Sequence, residues 1–160
     1  MVILKTFVIL GTQDKAFPRL LKDVEASSLE GEILAQSGFT AYSSEKMKVV
    51  DYLGQEDFQQ AIKEADLVIT HGGVGTIMQA LSFGKKVIAA PRYGRYGEHQ
   101  NDHQADIVES FAAKGYLLPY YDGDDLNEVL KKAEDFVPQP FQGNHEHFLQ
   151  ELKNYLIKVL

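Results

Sequence analysis

Between Asp66 and Gly84 the chain reads Asp-Leu-Val-Ile-Thr-His-Gly-Gly-Val-Gly-Thr-Ile-Met-Gln-Ala-Leu-Ser-Phe-Gly, an apolar run that meets glycines and continues at helical spacing. Such a junction has the chemistry of an anion site. Gly72, Gly73 and Gly75 let the backbone turn sharply and approach a ligand, and a helix starting near Val74 directs unpaired N–H groups at whatever sits before it. A phosphate or diphosphate suits that field. The glycines fall as Gly-Gly-x-Gly, which is not the dinucleotide fingerprint, and no Lys-Ser/Thr pair of a P-loop follows. A tight strand-to-helix connection without a ligand is the structural alternative. His71, at the end of the apolar run, has the pKa range of a general base, and it can equally serve the turn by hydrogen-bonding backbone.

A second polar segment follows. Val87 to Ala90 end at Pro91, and Arg92 to Gln104 (Arg-Tyr-Gly-Arg-Tyr-Gly-Glu-His-Gln-Asn-Asp-His-Gln) carry far more hydrogen-bonding capacity than a plain connection needs. Arg92 and Arg95 could clamp a diphosphate or an acidic sugar, or lie on a surface loop that the glycines beside Tyr93 and Tyr96 make mobile. His99 and His103 are four apart, a spacing that also suits zinc on one helix face. The further ligand nearby, Asp102, points elsewhere on a 3.6-residue helix, so no metal is assigned. His145 and His147 are expected to be solvated.

The elements that must position these groups alternate. Thr6 to Leu10 form a strand ending in Gly11-Thr12-Gln13-Asp14, and Phe17 to Ala26 a helix with Pro18 in its first turn. Glu32 to Gln36 and Lys48 to Tyr52 are further strands, and Asp57 to Ala65 a helix with Phe58, Ala61 and Ile62 on one face. After the two polar segments, a helix from about His99 to Ala113 stops at Gly115, Tyr116 to Leu118 form a short strand, and Asp124 to Phe136 a helix. Strands alternating with such helices imply one doubly wound, parallel, Rossmann-like α/β domain with right-handed crossovers. That layout sends the Gly11 turn, the His71 to Thr76 turn and the Arg92 to Gln104 loop to the carboxyl edge of the sheet, where open α/β folds bind ligands.

The domain is expected over 1–137, with a linker and a terminal amphipathic helix over 138–160. In that helix Phe148, Leu149, Leu152, Tyr155, Leu156 and Val159 make one apolar stripe, which either covers the domain's own sheet or docks on a partner. The chain has 160 residues, a formal charge of -7 and no cysteine, so disulfide and thiolate chemistry are excluded and no basic face for nucleic acid is visible. No apolar run approaches the roughly 20 residues of a membrane span. The N-terminal Met-Val-Ile-Leu-Lys-Thr-Phe-Val-Ile-Leu reads as the first strand, since a Lys interrupts it and no cleavage site follows.

At three blocks, Phe-Val-Ile-Leu-Gly-Thr-Gln, the Asp66 to Leu81 run and Gly-Glu-His-Gln-Asn-Asp-His-Gln, the sequence resembles the C-terminal, nucleotide-sugar-binding domain of glycosyltransferase family 28. It is similar to the short exopolysaccharide subunits of the PssE type and to the small catalytic subunit of the dolichol-pathway N-acetylglucosaminyltransferase. The resemblance implies the donor-binding half of a GT-B enzyme, in which Gly11, Thr12, Gly72, Gly73, Gly75 and Thr76 hold the diphosphate of a UDP-sugar. It implies that Gln100 and Asn101 approach the donor sugar, with His103 and Gln104 following; Arg92 and Glu98 are counted in the surrounding site, and His71 is the catalytic candidate. Where MurG-like members carry a glutamate for the ribose hydroxyls, this chain has Gln79, a weaker acceptor. By the same resemblance the reaction is inverting and needs no cofactor or metal. The acceptor, a lipid-linked sugar in exopolysaccharide or capsule synthesis, would come from a membrane-associated PssD-like subunit that recruits this chain to the cytoplasmic membrane face. The general base could lie on that partner. A non-catalytic nucleotide-binding or sensing module is the alternative reading.

Overall fold

The computed structural model of the chain describes residues 3–141 together with Gln150, Lys153 and Asn154. Along it lie β1 (Lys5–Ile9), α1 (Pro18–Ala26), β2 (Glu32–Gln36), β3 (Lys48–Val50), α2 (Gln55–Glu64), β4 (Leu67–His71), α3 (Val74–Ser82), β5 (Lys86–Ala90), α4 (Gln104–Ala113), β6 (Leu118–Pro119) and α5 (Leu126–Asp135), strands and helices alternating except that β3 follows β2 directly. The strands form one sheet in the order β3-β2-β1-β4-β5-β6, and every neighbouring pair is parallel. The doubly wound α/β domain expected from the sequence is therefore the observed one.

Parallel strands covered on both faces must be apolar on both, and β4 is buried at all five positions. Along β1 the side chains alternate between two cores: Val8 and Leu10 pack with α1 and α5, while Phe7 and Ile9 pack against α2, α3 and α4. Each fully buried side chain of this size contributes about 1.5–3 kcal/mol. Lysines from neighbouring segments close helix C-termini: Lys46 Nζ donates to Ser27 O, Lys85 Nζ to Lys63 O and Ala65 O, and Lys86 Nζ to Ala133 O and Glu134 O. Their charge complements the carbonyl ends of α1, α2 and α5.

After β3 the chain crosses back to place β4 beside β1, with Ile9 opposite Thr70. The strand order reverses between these two, and their carboxyl ends open the crevice that such a reversal creates.

Several boundaries, among them those of β1, β3, α2 and α5, differ from the sequence reading by one or two residues, and two further differences have a visible cause. α4 begins at Gln104 rather than near His99, because side chains hold residues 98–103 in turns. There Asn101 Oδ1 accepts from His103 N at 3.0 Å, and Asp102 Oδ1 accepts from Gly94 N at 2.6 Å. Short polar side chains offering such bonds compete with the helix ladder. The last strand is Leu118–Pro119 rather than Tyr116 to Leu118, since Tyr116 N still bonds Phe111 O at the end of α4. The expected terminal helix, with its apolar stripe, and His145 and His147 lie outside the described residues.

Candidate functional site

A cavity of about 510 Å³ lies at the carboxyl edge of β1, β2 and β4. Gly11, Thr12 and Gln13 form one wall, His71, Gly73, Gly75, Thr76 and Gln79 another, and Gln36, Tyr52, Leu53 and Phe58 the end beneath β2 and β3. None of its described lining residues is charged, in a chain of formal charge -7. Hydrogen-bond donors and backbone dipoles are what it offers a ligand.

The α3 end supplies the strongest of these. Gly73 precedes the helix in extended conformation and no side chain caps it, so the N–H groups of its first turn are left for solvent or a ligand. A Cβ at Gly75 would meet nothing within 4 Å, so the missing side chain leaves open space over that turn. Gly73 is different: a Cβ there would lie 2.4 Å from His71 Cε1. Gly11 has φ +87°, and a Cβ there would approach the same edge of the ring, 2.5 Å from His71 Nε2. That edge of the imidazole is thus clasped by two residues that must lack side chains.

The state of that imidazole follows from Gln104. Gln104 Oε1 accepts from Gly72 N at 3.1 Å and from Arg92 N at 2.9 Å. Two donors on one atom require it to be the oxygen, so Nε2 is the amide atom that stands 3.5 Å from His71 Nδ1. An amide nitrogen only donates, hence Nδ1 accepts and the proton of the neutral ring sits on Nε2. Burial, with Arg92 and His99 nearby, pushes the His71 pKa down to about 3, so the ring is neutral at physiological pH. His71 presents an N–H on the Gly11 and Gly73 side.

Behind this wall Arg92 is 1% exposed. Its guanidinium donates to Leu10 O, to Lys15 O at 2.8 Å and to Glu98 O at 2.9 Å, which ties the β1–α1 turn to the loop after β5. Burial pushes its pKa down to about 10, opposed by Glu98, and it stays charged at neutral pH. The buried Glu98 carboxylate accepts from Arg19 through both oxygens, at 3.0 and 3.1 Å, and from Tyr93 N at 3.0 Å. Asp122 and Asp23 also face Arg19, so the charges behind the cavity largely compensate one another.

The residues singled out in the sequence thus divide. Gly11, Thr12, His71, Gly73, Gly75, Thr76 and Gln79 line the cavity. Gly72, Arg92, Glu98 and Gln104 lie behind it with their bonding committed to the protein. Gln100, Asn101 and His103 stand on the loop before α4 and do not line the cavity. Arg95 is half exposed and bridges Asp102 and Asp122, each at 3.2 Å, while stacking 4.1 Å from the Tyr93 ring centroid, so the loop is cross-linked despite its glycines. His99 precedes α4, which removes the shared helix face that its spacing from His103 suggested; among the described residues no group of three His, Cys, Asp or Glu side chains could hold a metal ion. Gln13, Gln36, Tyr52, Leu53, Gln55 and Phe58 line the cavity without having been singled out. Gln36 and Tyr52 end or follow adjacent strands of the same sheet edge, which was the available signal.

Comparison with known proteins places the chain in a family and agrees with its fold. A model of the glycosyltransferase family 28 C-terminal domain matches residues 7–158. The chain is similar to the UDP-N-acetylglucosamine transferase subunit ALG13 of Candida glabrata, with 29% identity over 117 residues, covering 71% of this chain and 51% of that protein. It is 25% identical over 125 residues to the protein of the same description from Yarrowia lipolytica, covering 74% of this chain and 62% of that one. The chain therefore spans a little over half the length of these curated relatives. Among solved structures, the NMR solution structure of ALG13 superposes with a TM-score of 0.62 at 19% identity, covering 93% of this chain and 94% of that one. The crystal structure of Acinetobacter baumannii MurG superposes with a TM-score of 0.54 at 17% identity, covering 80% of this chain and 41% of that one. At such identities the superpositions establish the fold.

Proposed function

Because the chain belongs to the glycosyltransferase family 28 C-terminal domain family, we propose that it is the donor-binding part of an inverting glycosyltransferase, with a UDP-sugar held in the cavity at the carboxyl ends of β1 and β4. The observation that carries this reading is the uncapped start of α3 beside a neutral, N–H-bearing His71, both facing a cavity whose described lining holds no charged side chain. An anion there meets preoriented donors and no carboxylate.

In the proposed reaction the acceptor hydroxyl oxygen attacks the anomeric carbon, and the bond from that carbon to the diphosphate breaks with its electron pair leaving on UDP. A general base takes the hydroxyl proton. Negative charge grows on the diphosphate in that step. The N–H groups of the first α3 turn and the His71 Nε2–H are the groups that would stabilise it. In this assignment His71 serves the leaving group, since its proton already occupies the nitrogen on that side.

Gly11, Thr12, Gly73, Gly75 and Thr76 would surround the diphosphate, Gln79 would meet the ribose, and Gln100, Asn101 and His103 would approach the sugar from the loop after β5. Gly72, Arg92, Glu98 and Gln104 would position these walls. The base and the acceptor are assigned to a membrane-associated, PssD-like partner subunit carrying a lipid-linked sugar, so that transfer takes place at the cytoplasmic membrane face. That partner, like the exopolysaccharide or capsule setting, rests on the sequence resemblance. Two relatives are described as transferase subunits, and among the described residues no helix is long and apolar enough to cross a membrane.

Calorimetric titration of the purified chain with UDP, UDP-glucose, UDP-galactose and UDP-N-acetylglucosamine, with ADP as control and EDTA present, tests the reading. Uridine ligands should bind and ADP should bind at least tenfold more weakly. Equal affinity for ADP, or no uridine binding either alone or with a candidate partner, would overturn it.

A further inference from the structure

Gln36 ends β2 and lines the cavity, yet it is 4% exposed. Its Oε1 accepts from Leu53 N at 2.8 Å. A backbone N–H can only donate, so this bond fixes which way the amide faces and leaves Nε2 as its remaining hydrogen-bonding atom. That nitrogen has no protein partner among the described residues, and it is not among the sealed, unpaired atoms, which are the hydroxyls of Thr6 and Thr70. It therefore opens onto the cavity that the residue lines. Donors in nearly buried positions seldom go unpaired, and an unused N–H here is a group awaiting an acceptor.

We propose that Gln36 selects the base of the donor nucleotide, donating from Nε2 to a ring carbonyl. This rests on the cavity being a nucleotide-sugar site. The diphosphate end lies at β4 and α3, and Gln36 stands two strands away in the sheet order. Strands are about 4.8 Å apart, so the separation is about 10 Å. A ribose and one ring of a base span that interval, and the walls at the far end, Leu53, Phe58 and Tyr52, are apolar or aromatic. The edge of a pyrimidine farthest from its ribose carries a carbonyl oxygen in uracil and thymine and an amino group in cytosine. A fixed donor pairs with the carbonyl. Facing cytosine it would set two donors against each other, which leaves both unpaired in a nearly buried site.

The test is titration of UDP and CDP against the wild-type chain and two variants, with Gln36→Glu followed from about pH 7 to about pH 9.5, because burial can raise a carboxyl pKa to about 8–9. Gln36→Glu keeps an oxygen for the Leu53 N–H and, once ionised, replaces the donor with an acceptor; Gln36→Met removes the donor together with the oxygen that accepts from Leu53 N. The wild-type chain should favour UDP over CDP by at least tenfold. Gln36→Glu should lower that ratio by at least tenfold at the upper end of that pH range, and Gln36→Met, which also costs the Leu53 N–H its acceptor, should weaken UDP by more than CDP. An unaltered ratio, or an equal loss for both nucleotides, would overturn the base-selecting role and leave the nucleotide site standing. If the wild-type chain bound neither nucleotide, the underlying reading would fall with it.

Discussion

Replacing Gly73 with alanine isolates the clasp around His71. Gly73 has φ -77° and ψ 126°, a conformation open to any residue, so the substitution acts through space alone. The added Cβ would lie 2.4 Å from Cε1 and 2.7 Å from Nε2 of a ring that is 6% exposed. The ring has little room to yield, because Gly11 also crowds its Nε2–Cε1 edge and Gln104 stands at Nδ1. Overpacking of this kind costs about 1–3 kcal/mol. For a domain of this size each kcal/mol lowers Tm by about 2–4 °C, so a fall of about 2–12 °C is expected. The decisive assay is a double-mutant cycle in urea: Gly73→Ala, His71→Ala and the pair. His71→Ala removes the ring, so the alanine at 73 should then be tolerated and the two effects should fail to add by 1 kcal/mol or more. Additivity within about 0.5 kcal/mol would refute the clasp.

Three further outcomes follow from the buried polar groups. With the folded His71 pKa near 3 and an ordinary value near 6.5, the unfolded chain binds a proton that the folded chain does not. Stability therefore rises with pH across that window, by up to about 1.4 kcal/mol per unit, and is lost as pH falls from 6.5 toward 3. Urea titrations should show a flatter acid limb in His71→Asn, and an unchanged slope would contradict the buried neutral ring. Gln104→Leu should cost about 2–4 kcal/mol, because the Gly72 and Arg92 N–H groups lose their shared acceptor; a loss under 1 kcal/mol in the urea midpoint analysis would count against that pairing. Thr6→Val removes a buried hydroxyl that has no partner among the described residues and should raise stability by about 1 kcal/mol, whereas a decrease of that size would show the hydroxyl to be satisfied.

What the sequence disclosed was local. The bounds of β2, the start of α3 at Val74 and the glycine turn between β4 and α3 were readable, because a buried parallel strand is a continuous apolar run and glycine marks the turn after it. The loop from Arg92 to Gln104 was readable as unusually polar but not in its direction. Arg92, Glu98 and Gln104 satisfy backbone carbonyls, N–H groups and one another, and a side chain has the same donors whether it meets a ligand or a buried turn. The far end of the cavity had no local signature, since Gln36, Tyr52 and Phe58 are brought together by strand order alone. The tautomer of His71 depends on Gln104, which lies 33 residues away in sequence, and no reading of spacing supplies that contact.

The central claim is that a UDP-sugar binds at the β1 and β4 ends with its diphosphate on α3, and amide-resolved NMR titration with UDP in EDTA tests it most directly. The account predicts the largest shifts at the backbone amides of residues 11–13 and 73–76, with smaller ones at residues 52–55, all bordering the cavity. Saturable UDP binding that moved instead the amides of a different cavity, the one lined by Lys5, Glu32, Asp57 and Glu64, or no shifts at any concentration, would contradict it.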